Sequence, residues 1–146
     1  MSKKIQVEKL KSKKRVIVNK ESTDNEKVIW IFDWIDTDGN FAFNPNREDF
    51  DCRKVLEKII SFSNQTWAEI KKATHDKGKS KHHMLSYDGI SQKGKDRIKV
   101  KHLEEYNDSI FSFALENKIR IIGIRDGNKF HVIWFDLNHE FFPSKK

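Results

Sequence analysis

The chain has 146 residues, enough for one domain, and its 35% charged residues stand beside eleven Phe, four Trp and two Tyr, which supply a core and exclude a disordered chain. No run reaches the roughly 18 apolar residues of a membrane helix, and one cysteine, Cys52, excludes an internal disulfide framework and a cysteine-based zinc cluster. The net charge of +7 is uneven: residues 1–20 hold eight Lys/Arg against one Glu and residues 71–101 hold ten against three Asp, whereas residues 21–70 hold eleven acidic residues against five basic. Two such blocks act on a polyanion as local patches, and each phosphate they neutralise makes binding salt-dependent. The start of the chain has no apolar signal core, so a cytoplasmic protein is expected.

In chain order, residues 1–20 read as a basic arm, with 21–146 as a single domain. Val28 to Ile35 alternates as a strand, Asp36–Asn40 turns, and Phe41–Phe43 returns beside it. The Asp36-Thr-Asp-Gly fragment opens like a calcium loop, but Arg47 occupies the twelfth position, where calcium needs a glutamate. Asn46 caps an expected helix over 47–62, whose apolar stripe is Cys52, Val55, Leu56, Ile59 and Ile60, with Cys52 a buried filler. Thr66-Trp-Ala-Glu69 is a capping box for a short helix ending near Ala73. Residues 74–97 read as a lysine- and glycine-rich loop, followed by a helix over 95–106.

The last third carries the clearest pattern. Ser109–Leu115, Ile119–Arg125 and Lys129–Asp136 are three strands, with Asp126-Gly-Asn128 as a hairpin turn. The fold expected is α+β: an antiparallel sheet of about five strands packed by two or three helices, preceded by the basic arm. Unbroken alternation puts Arg120, Lys129 and His131 on one face with Ile122, Ile124, Ile133 and Phe135. It puts Arg125 and Asp136 on the other with Ile121, Val132 and Trp134. An arginine among aliphatic neighbours is costly unless partnered, so Arg120 is a functional candidate.

Asp136 and His139 are three apart, a spacing that could set a carboxylate beside an imidazole. Metal-independent RNA cleavage needs a base for the 2′-hydroxyl, an acid for the leaving oxygen and cations for the phosphorane charge. Six histidines with nearby Arg and Lys can supply all three. A zinc site built from His75, His82 and His83 is disfavoured by irregular spacing and by the surrounding positive charge.

The stretch from Ser112 through Arg120, Arg125 and His131 to Glu140 resembles the end of a set of small bacterial and phage-type proteins and, more loosely, of RelE/ParE-superfamily toxins. The resemblance implies helices preceding an antiparallel sheet, mRNA cleavage without metal or cofactor, often on the ribosome, and a neutralising antitoxin. It would match Arg120, Arg125 and His139 to functional positions. The expectation is therefore an RNA-binding protein of toxin–antitoxin or phage-defence type that acts as a metal-independent endoribonuclease. His139 or His131 would be acid or base, Arg120 and Arg125 would stabilise phosphate charge, and Asp136 would orient His139. Lys77, Lys79, Lys81, His82, His83, Lys93, Lys95 and Arg97 would hold the RNA. Expected partners are RNA, an antitoxin and a second copy of the chain, with no membrane. The alternative is a non-enzymatic module that binds nucleic acid or protein.

Overall fold

A computed structural model describes residues 23–75 and 78–144. The arm expected over 1–20, and Lys77, lie outside these residues. The elements are β1 (Ile29–Ile31), α1 (Cys52–Ser63), α2 (Trp67–Lys72), β2 (His83–Met84), α3 (Gln92–Val100), β3 (Ile110–Ala114), β4 (Arg120–Asp126) and β5 (Lys129–Asp136). The five strands form one sheet in the order β1-β5-β4-β3-β2. This is the expected α+β class, but the sheet is mixed. β1 runs parallel to β5, pairing Ile29 with Lys129 and Ile31 with His131. A parallel pair needs a long crossover, and everything between the two strands serves as one.

The expected hairpin over 28–43 does not form. After Ile31 the chain crosses to the far half of β5. Asp36 N–H donates to the Ile133 carbonyl at 3.0 Å, and Phe135 N–H to the Phe41 carbonyl at 2.9 Å. Ala42 bridges Trp134 there. What draws the segment in is the Asp36 carboxylate. It is 2% exposed and accepts Arg97 Nε and a terminal Arg97 nitrogen at 2.8 Å each, Trp134 Nε1–H at 3.0 Å and Asp38 N–H at 3.1 Å.

α1 starts later than expected, because Asp51, not Asn46, accepts the Lys54 N–H at 3.1 Å. Val55, Ile59 and Phe62 face the sheet, while Leu56 and Ile60 stay more than half exposed and Cys52 is exposed. The apolar stripe is two rows wide, and the sheet takes only one of them. The capping box of α2 forms in both directions: Glu69 N–H donates to Thr66 Oγ1 at 3.2 Å and Thr66 N–H to Glu69 Oε1 at 2.8 Å. α3 begins three residues early, where Ser91 Oγ accepts the Gly94 N–H at 3.2 Å. The helix ends at Val100, short of the expected 106. Within the expected 74–97 loop, β2 adds a short strand against β3.

The sheet is covered on both faces. Phe111, Phe113, Ile121, Phe130, Val132 and Phe135 pack against Val55, Ile59 and Phe62 of α1 and Trp67 and Ile70 of α2. On the other face Ile110, Ile122, Ile124, Ile133 and Trp134 pack against Ile98 of α3, Phe41 and Phe141. Burying one such aromatic side chain removes about 150–250 Å² from water. At roughly 25 cal/mol per Å² that is about 4–6 kcal/mol before ordering costs. No helix among the described residues is long and apolar enough to cross a membrane.

The β4–β5 ladder starts as alternation demands, with Asp126 opposite Lys129 and Ile124 opposite His131, and then slips. Gly123 pairs with Val132 but Ile122 pairs with Trp134, so Ile133 is an extra residue in β5. Ile133 and Trp134 consequently fall in the same core. Every later residue of β5 changes face, as a one-residue bulge requires. Phe135 therefore joins Ile121 and Val132, and Asp136 comes to stand opposite Arg120. Ile133 keeps its expected face with Ile122 and Ile124, whereas the expected faces of Trp134, Phe135 and Asp136 are reversed.

Candidate nucleic-acid interface

The bulge decides what stands at the end of the sheet where β4 begins and β5 stops. Beyond Asp136 the chain turns sharply. The Asp136 carboxylate accepts the Glu140 N–H at 3.0 Å and the Phe141 N–H at 2.8 Å. Phe141 is buried against Phe41 and Trp134, and its carbonyl accepts the Ser91 N–H at 2.9 Å. His139, at the apex of the turn, takes φ 61°. Asp136 thus holds the backbone that carries His139, rather than the imidazole itself as expected from the spacing.

Opposite, one terminal nitrogen of Arg120 donates to the carbonyls of Asn117 at 2.9 Å and Ile119 at 3.0 Å. These bonds close the β3–β4 turn and fix the guanidinium at the sheet end. Burial lowers its pKa, and Asp136 opposes that shift; an arginine starts so high that it stays charged.

Between these groups lies an open cleft of about 750 Å³. Arg120 and His139 form one side; His75, Lys79, Lys81 and His83 come from the segment before and into β2; Asp88, Gly89 and Ser91 come from the approach to α3; Phe142, Pro143 and Ser144 close it. The Thr74–Ser80 bridge and the His75 N–H bond to the Lys79 carbonyl at 2.8 Å fold the lysine segment back along the rim. Three Lys/Arg against the single carboxylate of Asp88 make the lining attractive to anions.

Burial, and then the charge of Arg120, lowers the His139 pKa, so its ring is neutral at pH 7. His83 sits with Nδ1 3.1 Å from the Met84 carbonyl. A carbonyl only accepts, so Nδ1 donates to it, and Nε2 is left outside that bond. The cleft therefore pairs a fixed cation with two imidazoles, the parts needed to bind a phosphate and move a proton beside it.

His82 goes the other way, because successive residues of an extended chain point to opposite sides. It is buried, packs against Phe62 and Phe113, and its Nδ1 accepts the Ala114 N–H at 3.0 Å. The expectation that His82 binds nucleic acid is corrected accordingly. Burial and the surrounding cations lower its pKa from 6.5 to about 4. The unfolded chain binds a proton below pH 6.5 that the folded chain refuses until about pH 4. Stability should therefore be full above pH 6.5 and fall by about 3 kcal/mol on descending to pH 4. Urea melts across this range should show the loss. His82→Gln, which keeps an acceptor for Ala114, should flatten most of it, and an unchanged slope would contradict the assignment.

The other sequence candidates lie elsewhere. Arg125 is five residues from Arg120, about 16 Å at roughly 3.3 Å per residue. It is 1% exposed, donates to Asp24 Oδ1 at 2.7 Å and to the Gly127 carbonyl at 2.8 Å, and lies 4.0 Å from the Trp67 ring centre. It is a core ion pair, not a phosphate ligand. His131 shares a sheet face with Arg120 but sits at the opposite end. Its Nδ1 is 3.0 Å from Asp33 Oδ1, and its ring stacks on Trp34 at 3.9 Å. It does not line the cleft that holds His139. Arg97 is spent on Asp36. Lys95 stands 4.9 Å from the Tyr87 ring centre, and Lys93 is exposed on α3; neither lines the cleft.

Sequence reasoning missed Asp88, Gly89, Ser91 and Phe142, which carry no spacing signal and meet only through the tail's return across α3. Among the described residues no group of three His, Cys, Asp or Glu is placed to hold a metal ion. No family model, curated protein or solved structure matches the chain.

Proposed function

We propose that the chain binds RNA in this cleft and cuts it without a metal, as a toxin–antitoxin or phage-defence ribonuclease would. What supports the reading is one convergence: Arg120, His139 and His83, distant in sequence, line one open basic cleft with Lys79 and Lys81 on its rim. Arg120 binds the scissile phosphate and offsets the charge that grows on it. His139 takes the proton of the 2′-hydroxyl, and His83, in its protonated form, gives one to the leaving oxygen. The lowered pKa of His139 keeps it a base below pH 6.5, so cleavage should hold into mildly acid solution and fail as that ring protonates.

The test is incubation of the purified protein with RNA in EDTA, beside Arg120→Ala and His139→Asn. Asparagine tolerates the positive φ at 139, so the turn is kept. Each variant should slow cleavage about 10²- to 10³-fold, in line with loss of a proton-transfer group or of a fixed charge donor. Intact RNA that still binds in a salt-dependent way would leave the non-enzymatic module. RNA neither cut nor bound would remove both RNA readings and leave a module that binds protein.

A further inference from the structure

The cleft has one aromatic wall, Phe142, and three features hold it in place. Gly89 lies so close that a Cβ there would fall 2.4 Å from the ring. The His83 ring meets it edge to face, with centroids 6.0 Å apart. Pro143 follows, and a residue before proline is confined to extended backbone. The ring is only partly buried although it packs against the core formed by Ile90, Ile98 and Phe141. A fixed, partly exposed aromatic lining the same cleft as a fixed guanidinium is how proteins hold a strand whose bases are free. A base stacks on the ring while the cation takes the phosphate. Bases within a duplex are already stacked on one another and present no free face. The volume, about 750 Å³, lies in the small-ligand range of roughly 300–1,000 Å³, which suits an unpaired nucleotide better than a helix.

We propose that Phe142 is a base-stacking platform and that the cleft accepts unpaired RNA, one base laid against Phe142 and the adjoining phosphate against Arg120. This rests on the RNA reading above.

The experiment is fluorescence anisotropy with a labelled single-stranded RNA, the same strand carrying abasic positions, and its duplex. The wild type should bind the single strand more tightly than the other two. Phe142→Ala should weaken binding of the base-bearing strand about tenfold. It should leave the abasic strand and the salt slope unchanged, and Phe142→Trp should restore the affinity. Gly89→Ala, which displaces the ring without removing it, should act in the same direction and carries the test if Phe142→Ala does not fold. Arg120→Ala should weaken base-bearing and abasic strands alike and lower the salt slope by about one. Binding that is lost in Arg120→Ala but indifferent to Phe142→Ala, Gly89→Ala and the abasic positions would overturn the stacking platform and leave the RNA reading standing. A wild type that binds none of the three probes would overturn both.

Discussion

Gly123→Ala should destabilise the protein by at least about 3 kcal/mol and abolish RNA binding wherever it remains folded. A Cβ at this position would stand 1.9 Å from the His131 carbonyl oxygen and 2.9 Å from the Phe130 ring. The first of these neighbours is backbone and cannot swing aside. Relief requires β5 to separate from β4 at the bulge. That breaks ladder bonds in the most buried strand pair and disturbs Val132, Ile133 and Trp134, each 0% exposed. Overpacking a core ordinarily costs about 1–3 kcal/mol, and a collision with backbone inside a sheet belongs at or above that limit. The damage reaches function through register. Without the bulge, Asp136 would turn away from Arg120 and release the Glu140 and Phe141 amides, and His139 would leave the cleft. Gly78→Ala is the control: its Cβ meets nothing within 4 Å, and only its φ of 83° is strained, which should cost about 1–2 kcal/mol. Denaturant melts of both variants decide the matter, and a Gly123→Ala curve within 1 kcal/mol of wild type would contradict the bulge as described.

Asp36→Ala should cost about 3–5 kcal/mol, the range expected when one partner of a buried ion pair is removed. Burial raises the Asp36 pKa, but the bonds from Arg97, Asp38 N–H and Trp134 outweigh it, so the carboxyl is held below its usual value. It therefore adds stability that is present above about pH 4 and lost as the solution is acidified further. Its removal orphans the Trp134 N–H inside the core and releases the segment that crosses β5. Arg97, with its side chain 21% exposed, can recover water in part, so Arg97→Ala should cost less. The double variant should fall short of the two single losses combined, because they share one interaction. Arg97→Ala also separates structure from function. It should lower stability while leaving RNA affinity within about twofold, and a larger loss of affinity would return Arg97 to the RNA-binding surface.

The elements that could be read from sequence are those whose signal is local. Thr66 and Glu69 cap each other across three residues, and Asp126-Gly-Asn128 closes a hairpin on its own. The C-terminal meander alternates strongly enough to place three strands. What could not be read depends on distant partners. Nothing near Gly123 announces that the His131 carbonyl will approach it, so the bulge was invisible and the faces beyond it were misassigned. Asp36 looks like a turn residue until Arg97 and Trp134 reach it. The adjacent histidines 82 and 83 carry the same chemistry in sequence, and only the side of the extended chain each one takes separates a core acceptor from a residue of the cleft lining. His139 was readable as a candidate because it stands three residues from Asp136, and Arg120 because charge among aliphatic residues asks for a reason. Arg125 met the same criterion and proved to be a core ion pair with Asp24.

The measurement that tests the central claim most directly is photo-crosslinking of a single-stranded RNA to the wild-type protein, with the linked peptides located by mass spectrometry. The account requires crosslinks within residues 79–91 and 136–144, the two sides of the cleft, and their loss in Arg120→Ala. Crosslinks confined to α3 around Lys93, or to the α1 face, with the cleft peptides unmodified, would contradict it.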